Sequence, residues 1–315
     1  MEEHVSFQSG GLRISGVLQI PPVGATGVLQ QVPPDATTGV LQQIPETAAD
    51  AKPRAAVIVL HGFGSNKNGG ISLVAAKCFA ALGYVTLRFD MRGCGDSEGV
   101  RGRVICLEQV EDARNAFDYL AARPEVDPKR ICLMGFSFGA AVAVYAAGVD
   151  SRYAACISIG GWGDGEKKFR KQHGTPEAWK KFSDMLARGR DCKQRGKSIM
   201  VPRFDIVPMP AGLGRNLAPG TIMEFPFEVV ESMCSFRAND VVGAIAPRPL
   251  LLVHTADDSV TPTEQSIELF LHAGQPTDLH LVAGTDHFVL AEGNDLVINL
   301  VSNWLARYFP LHATA

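Results

Sequence analysis

The chain has 315 residues, 46% hydrophobic and 20% charged, and 30 Lys and Arg against 33 Asp and Glu leave a net charge of −3. That balance fits a globular protein whose core needs neither disulfides nor a metal, and it argues against nucleic acid as a partner, because neutralising many phosphates calls for a basic surface. No apolar run reaches the ~18 residues of a membrane span, so no membrane partner is expected.

The acidic start MEEHVSFQSG is the reverse of a secretory signal. The stretch VSFQSGGLRISGVLQI reads as two alternating strands around Gly10-Gly11, an antiparallel hairpin at a sheet edge. Its second half opens a repeat: GVLQIPP from Gly16, GVLQQVPP from Gly27 and GVLQQIP from Gly39. Each copy reads as an extended stretch closed by proline, which cannot donate to a central ladder. The segment 16–49 is therefore expected to be a duplicated strand end or surface loop, the alternative being added edge strands that make a homo-oligomer.

From residue 55 a regular alternation begins. Ala55–Leu60, Tyr84–Phe89, Arg130–Met134, Tyr153–Ile159, Pro249–His254 and Asp278–Val282 are short β-rich runs. Between and after them, Ile71–Leu82, Leu107–Ala122, Phe138–Ala147, Pro262–Ala273 and Leu290–Tyr308 carry helical patterns. Strands alternating with helices predict an α/β fold with a mostly parallel sheet covered on both faces. Residues 162–240 break this rhythm, being far too long for one crossover. They hold 5 of the 8 Met and 6 of the 16 Phe, and 164–197 carries 11 Lys and Arg against 5 Asp and Glu. Amphipathic helices are expected there, Thr175–Arg188 most clearly, as a cap over the carboxyl edge of the sheet, where open α/β folds bind ligands. The expected division is a core of 1–161 and 241–315 and a cap of 162–240.

The chemistry centres on Gly135-Phe136-Ser137-Phe138-Gly139, which follows the strand RICLM and opens the helix AAVAVYAAG. This is G-x-S-x-G in its required strand, sharp turn and helix context, which lifts a serine hydroxyl clear of the sheet. Seven cysteines without a Cys-x-x-Cys pair read as reduced thiols of a cytoplasmic protein. No His, Cys or Asp cluster has metal-ligand spacing, and neither a G-x-G-x-x-G nor a Walker pattern is complete. Neither metal nor cofactor is expected.

With these motifs the chain resembles the α/β-hydrolase superfamily, in its serine esterase, aminopeptidase-like and dienelactone hydrolase-related branch. The resemblance rests on Leu60-His61-Gly62-Phe63-Gly64, on Asp90-Met91-Arg92-Gly93-Cys94-Gly95-Asp96-Ser97, on the serine motif, on His254-Thr-Ala-Asp257-Asp258-Ser-Val260 and on Gly284-Thr-Asp286-His287-Phe288. It spans residues 55–310 and leaves the repeats and the cap unexplained. It implies the order Ser137, Asp257, His287 for a catalytic triad. The family's Asp-x-x-Val spacing selects Asp257, with Asp258 one residue away as the alternative acid. It implies an oxyanion hole from the backbone N–H groups of Phe63 and Phe138. His61, Trp162, Met209, Phe225 and Phe288 are the expected substrate contacts. Arg92, Asp96 and Ser97 are expected to be structural, His254 a satisfied core residue and Asp286 a turn residue, while Cys94 is expected to be partly exposed.

The expected activity is hydrolysis of an ester, or a thioester or amide, of a medium-sized, largely apolar or aromatic small molecule, with the basic segment 164–197 drawing an anionic group. An acyltransferase, a carbon–carbon bond hydrolase and a peptidase share the scaffold. The peptidase would need an acidic cap residue, for which Glu224, Glu228 and Glu231 are candidates. A binding protein without catalysis is the rival from another class.

Overall fold

The computed structural model describes residues 1–21, 53–290 and 295–311. The second and third copies of the repeat fall outside them, as does the start of the expected helix at 291–294. The first copy begins in β2 (Leu12–Gln19), which pairs antiparallel with β1 (Glu2–Ser9) around Gly10-Gly11, the expected hairpin.

Then follow β3 (Arg54–Leu60), α1 (Gly70–Ala81), β4 (Val85–Phe89), α2 (Cys106–Ala121), β5 (Val126–Phe136), α3 (Phe138–Val149) and β6 (Ala155–Ile159). The long segment before the next core strand holds α4 (Gly165–Gln172), α5 (Pro176–Gln194), β7 (Met200–Pro202), α6 (Arg203–Ile206), β8 (Glu224–Pro226) and α7 (Phe227–Ser235). The chain finishes with β9 (Leu250–Thr255), α8 (Glu264–His272), β10 (Thr277–Val282) and α9 (Asp295–Tyr308).

Eight strands lie in the order β1-β2-β4-β3-β5-β6-β9-β10. The hairpin joins β4 antiparallel, and every other neighbouring pair is parallel. The apolar runs are continuous because both faces are covered, and the period of two sorts them. Ala55, Val57 and Val59 of β3 face one core with Phe79 of α1 and Trp304 of α9, while Ala56, Ile58 and Leu60 face the other with Phe117 of α2 and Val142 of α3. Each fully buried large side chain contributes ~1.5–3 kcal/mol. In α3 the alanines let the helix lie close on β5 and β6. In the long segment, the clearest amphipathic pattern becomes α5, capped by Thr175, whose hydroxyl accepts from the Ala178 N–H. The carboxyl ends of β3, β5, β9 and β10 open onto one edge, where Ser137, Asp258 and His287 come together.

Candidate active site

At the end of β5 the chain reverses at Ser137, with φ 53° and ψ −114°, and α3 begins at the next residue. No other non-glycine among the described residues has a positive φ. Such a conformation costs about 1–3 kcal/mol and persists only where its surroundings dictate it. Here the surroundings are two glycines. A Cβ on Gly135 would lie 2.0 Å from the Gly139 carbonyl oxygen, and one on Gly139 would lie 2.5 Å from that of His61. The turn is pinned to β6 by the Ser137 N–H, which donates to Ile159 O at 2.8 Å.

His287, in the loop after β10, is buried with its Nε2 2.9 Å from Ser137 Oγ and its Nδ1 2.8 Å from Asp258 Oδ2. A carboxylate only accepts, so Nδ1 carries the proton and Nε2 is left to accept from the serine hydroxyl. The acid facing the histidine is therefore Asp258, and the expectation of Asp257 is corrected. Asp257 is exposed, and it has no hydrogen-bond partner among the described residues. The reason is local. Asp258 Oδ1 accepts from the N–H groups of Val260 and Thr261, an Asx turn that aims Oδ2 inward. Burial alone would raise this carboxyl, but hydrogen bonds from His254 and His287 outweigh it and hold it far below the usual carboxylate range.

His254, expected to be no more than a satisfied core residue, is satisfied and does more. It is fully buried, lies between Ser266 Oγ and Thr261 O, and sets its Nε2 3.3 Å from Asp258 Oδ2. Asp286 joins the two loops, its carboxylate accepting from Ser259 N–H, Ser259 Oγ–H and the His287 N–H.

The loop after β3 runs beside the nucleophile, the Cβ position of Gly62 falling 3.8 Å from Ser137 Cβ. Among the described residues, the N–H groups of Phe63 and Phe138 have no protein acceptor. His61 does not line the cavity beside Ser137, against the expectation that it would face the substrate. It is buried, donates from Nδ1 to Gly62 O at 2.8 Å and accepts at Nε2 from the Met91 N–H at 3.1 Å. Burial lowers its pKa and keeps it neutral. Nor does Phe225 line the cavity. It is fully buried and stacks on Phe63 with ring centroids 4.1 Å apart, close enough that a Cβ on Gly64 would meet its ring at 2.6 Å.

Two cations that the sequence does not single out also brace this loop. Buried Lys67 donates to both Asp90 and Asp96 at 2.6 Å. Its burial opposes the charge, but these bonds raise its pKa. Arg203 of α6 donates through Nη1 to Phe63 O at 2.9 Å and Ile222 O at 3.2 Å. Arg92 pairs with Asp112, and Ser97 with the backbone of Asp90, in keeping with structural roles. Cys94 is buried instead of partly exposed, and burial pushes its thiol upward.

Ser137 and His287 open into a cavity lined also by Phe63, Trp162, Lys168, Arg203, Met209 and Phe288, three of which, Trp162, Met209 and Phe288, are among the residues expected to contact substrate. It is a narrow slot with a cavity volume of about 60 Å3. Of the Met and Phe in 162–240, only Met209 and Met233 reach it. Phe169 and Phe182 instead stack with His173 inside the segment. Among the described residues no Asp or Glu lines it. Glu228 and Glu231 pair with Arg103 and Lys193, and Glu224 is exposed, so none supplies the amine-binding group that a peptidase was expected to need. All seven cysteines are free, no helix among the described residues is long and apolar enough to cross a membrane, and none of their His, Cys, Asp and Glu form a group that could hold a metal ion.

Comparison with known proteins gives the site its context. The sequence model of the alpha/beta hydrolase family matches residues 57–300. The polyketide transferase grgF of a Penicillium species is 27% identical over 266 residues, covering 80% of this chain and 88% of that protein. The thiohydrolase apmlB of Arthrinium phaeospermum is 28% identical over 240 residues, 67% of this chain and 75% of the other. The crystal structure of alpha/beta hydrolase GrgF from Penicillium sp. sh18 superposes with a TM-score of 0.74 at 22% identity, covering 98% of this chain and 99% of that one.

Proposed function

The chain belongs to the alpha/beta hydrolase family, and from that premise we propose that it cleaves an ester or thioester of a small-molecule acyl compound through an acyl-enzyme on Ser137. The observation that carries this reading is the continuous hydrogen-bonded line from Ser137 Oγ through His287 to Asp258 Oδ2.

In the proposed reaction Ser137 Oγ attacks the acyl carbonyl as His287 Nε2 takes its proton. The negative charge that forms on the carbonyl oxygen is met by the N–H groups of Phe63 and Phe138, preset donors aimed at charge absent from the ground state. The N-terminus of α3 adds its positive dipole end at the same place. The imidazolium, held by Asp258, returns the proton to the departing alcohol or thiol. Water then enters, loses a proton to His287 and releases the acid, restoring Ser137. Asp258 stays ionised throughout and fixes the tautomer. In this reading residues 162–240 act as the cap, since they supply Trp162, Lys168, Arg203 and Met209 to the slot.

The names of the relatives favour thioesters among the candidate bonds and a second reading in which a hydroxyl acceptor replaces water. Both follow from one experiment. Turnover is compared for an aryl ester and an N-acetylcysteamine thioester of the same acyl chain, with and without added alcohol, in the wild-type protein and in Ser137→Ala. Cleavage that disappears with Ser137 supports the reading, and a rise in ester product with alcohol selects transfer. No cleavage of either donor by the wild-type protein contradicts it.

A further inference from the structure

Ten of the eleven Lys and Arg in 164–197 are exposed, and several pair with surface carboxylates, as Lys167 with Glu268 and Lys171 with Glu264. Lys168 is the exception. It is 1% exposed, and it borders the slot that holds Ser137 and His287. Its ammonium donates to Gln172 Oε1 at 2.7 Å and lies 5.2 Å and 4.1 Å from the ring centroids of Trp162 and Phe169. Among the described residues no carboxylate comes within ion-pair distance of it.

An ammonium has three donors, and only one is used here. Two further buried donors, Trp162 Nε1 and Gln172 Nε2, have no partner among the described residues. Buried polar groups are normally satisfied, so an unsatisfied set of donors points to an acceptor that arrives with the ligand. From Phe63 the rings of Phe138 and Trp162 follow at centroid steps of 5.7 Å, so an aromatic wall leads from the expected oxyanion donors to Lys168. Arg203 stands at the other end of this wall; its Nη1 is taken by the carbonyls of Phe63 and Ile222, while its Nε has no partner among the described residues.

We propose that Lys168 and the Trp162 indole N–H form a subsite for a carboxylate of the substrate, remote from the bond that is cleaved. The inference rests on the acyl-transfer reading of Ser137 and names the substrate class for it: a slender apolar chain that ends in an anion. Burial pushes the Lys168 ammonium down to about 7, against weaker support from Cys234, Asp258 and Cys106. A carboxylate bound there provides the counter-charge that its surroundings lack.

The test is binding to the Ser137→Ala protein, measured by isothermal titration calorimetry, so that turnover is not required. One arm compares mono-4-nitrophenyl succinate, glutarate and adipate with their methyl-capped neutral diesters, placing the carboxylate on the acyl side. The other compares 4-carboxyphenyl pentanoate with phenyl pentanoate, placing it on the leaving group. At least one anion is expected to bind about tenfold or more tightly than its neutral counterpart. Adding Lys168→Met should erase that preference, and Trp162→Phe should weaken it. The proposal is overturned by the absence of anion preference in both arms, or by its survival in Lys168→Met. Should Lys168→Met not fold, an undiminished preference in Trp162→Phe overturns it. Failure of the wild-type protein to cleave any ester would instead remove the acyl-transfer reading and leave the binding result standing.

Discussion

His287 Nδ1 lies 2.8 Å from Asp258 Oδ2, while the adjacent Asp257 is exposed to solvent. One residue of register thus decides which carboxylate sets the imidazole tautomer. Asp258→Asn is expected to lower kcat by roughly 10^4-fold, the scale of a lost tautomer-fixing acid, and Asp257→Asn by less than about twofold, as an exposed substitution away from any partner. Steady-state kinetics on one ester checks both, and the reverse ranking would return the role to Asp257.

The depressed Asp258 carboxyl also makes a statement about stability. Its folded pKa is below the ordinary 3.8, so its contribution is complete above that value and is lost as the pH falls further towards the folded pKa. Thermal melts of wild type and Asp258→Asn should therefore draw together progressively between about pH 4 and about pH 2. A gap in melting temperature that stays constant across this range would contradict the assignment.

Arg203 touches the expected oxyanion loop from behind, through Phe63 O. Arg203→Met leaves two buried carbonyls without their donor, at about 1–3 kcal/mol each, and frees the loop to move. We expect kcat to fall by about 10- to 100-fold, within the loss of one oxyanion donor, with KM for a neutral ester changed little. Arg203→Lys, which keeps a donor, should recover part of kcat. A rise in KM alone would show that Arg203 binds substrate instead of positioning the loop.

Gly139 leaves no room for a methyl group, since its Cβ would fall 2.5 Å from His61 O and 2.7 Å from Leu60 O. These are backbone atoms and cannot step aside alone. Gly139→Ala should cost about 1–3 kcal/mol or more in urea unfolding and should depress activity further by shifting His61 and Gly62. Unchanged stability would mean that the turn is looser than its geometry indicates.

Much of this arrangement is legible in the sequence, for reasons that differ by residue. Runs such as Ala55–Leu60 and Tyr84–Phe89 announce buried strands because parallel sheets are apolar on both faces. Ser137 is legible because its turn demands glycines at 135 and 139. The acid is misplaced by one residue because the Asp-x-x-Val spacing says nothing about direction, whereas the Asx turn that aims Asp258 depends on how Val260 and Thr261 fold back. The cue available was Asp258-Ser-Val-Thr as a side-chain-capped turn. His61 and Phe225 have residue types suited to substrate contact, and only the third dimension shows Met91 and Phe63 occupying them. Lys67 and Lys168 lie in stretches that read as solvated, since nothing local distinguishes the one lysine of α4 that turns inward.

The central claim is that Ser137 is a nucleophile activated through His287. The most direct measurement is the intact mass of the protein after reaction with a fluorophosphonate, with the adduct located by peptide mapping. The account predicts a single phosphonyl adduct on Ser137, abolished in Ser137→Ala and slowed by orders of magnitude in His287→Ala. No adduct, or one on another residue with Ser137 unmodified, would contradict it.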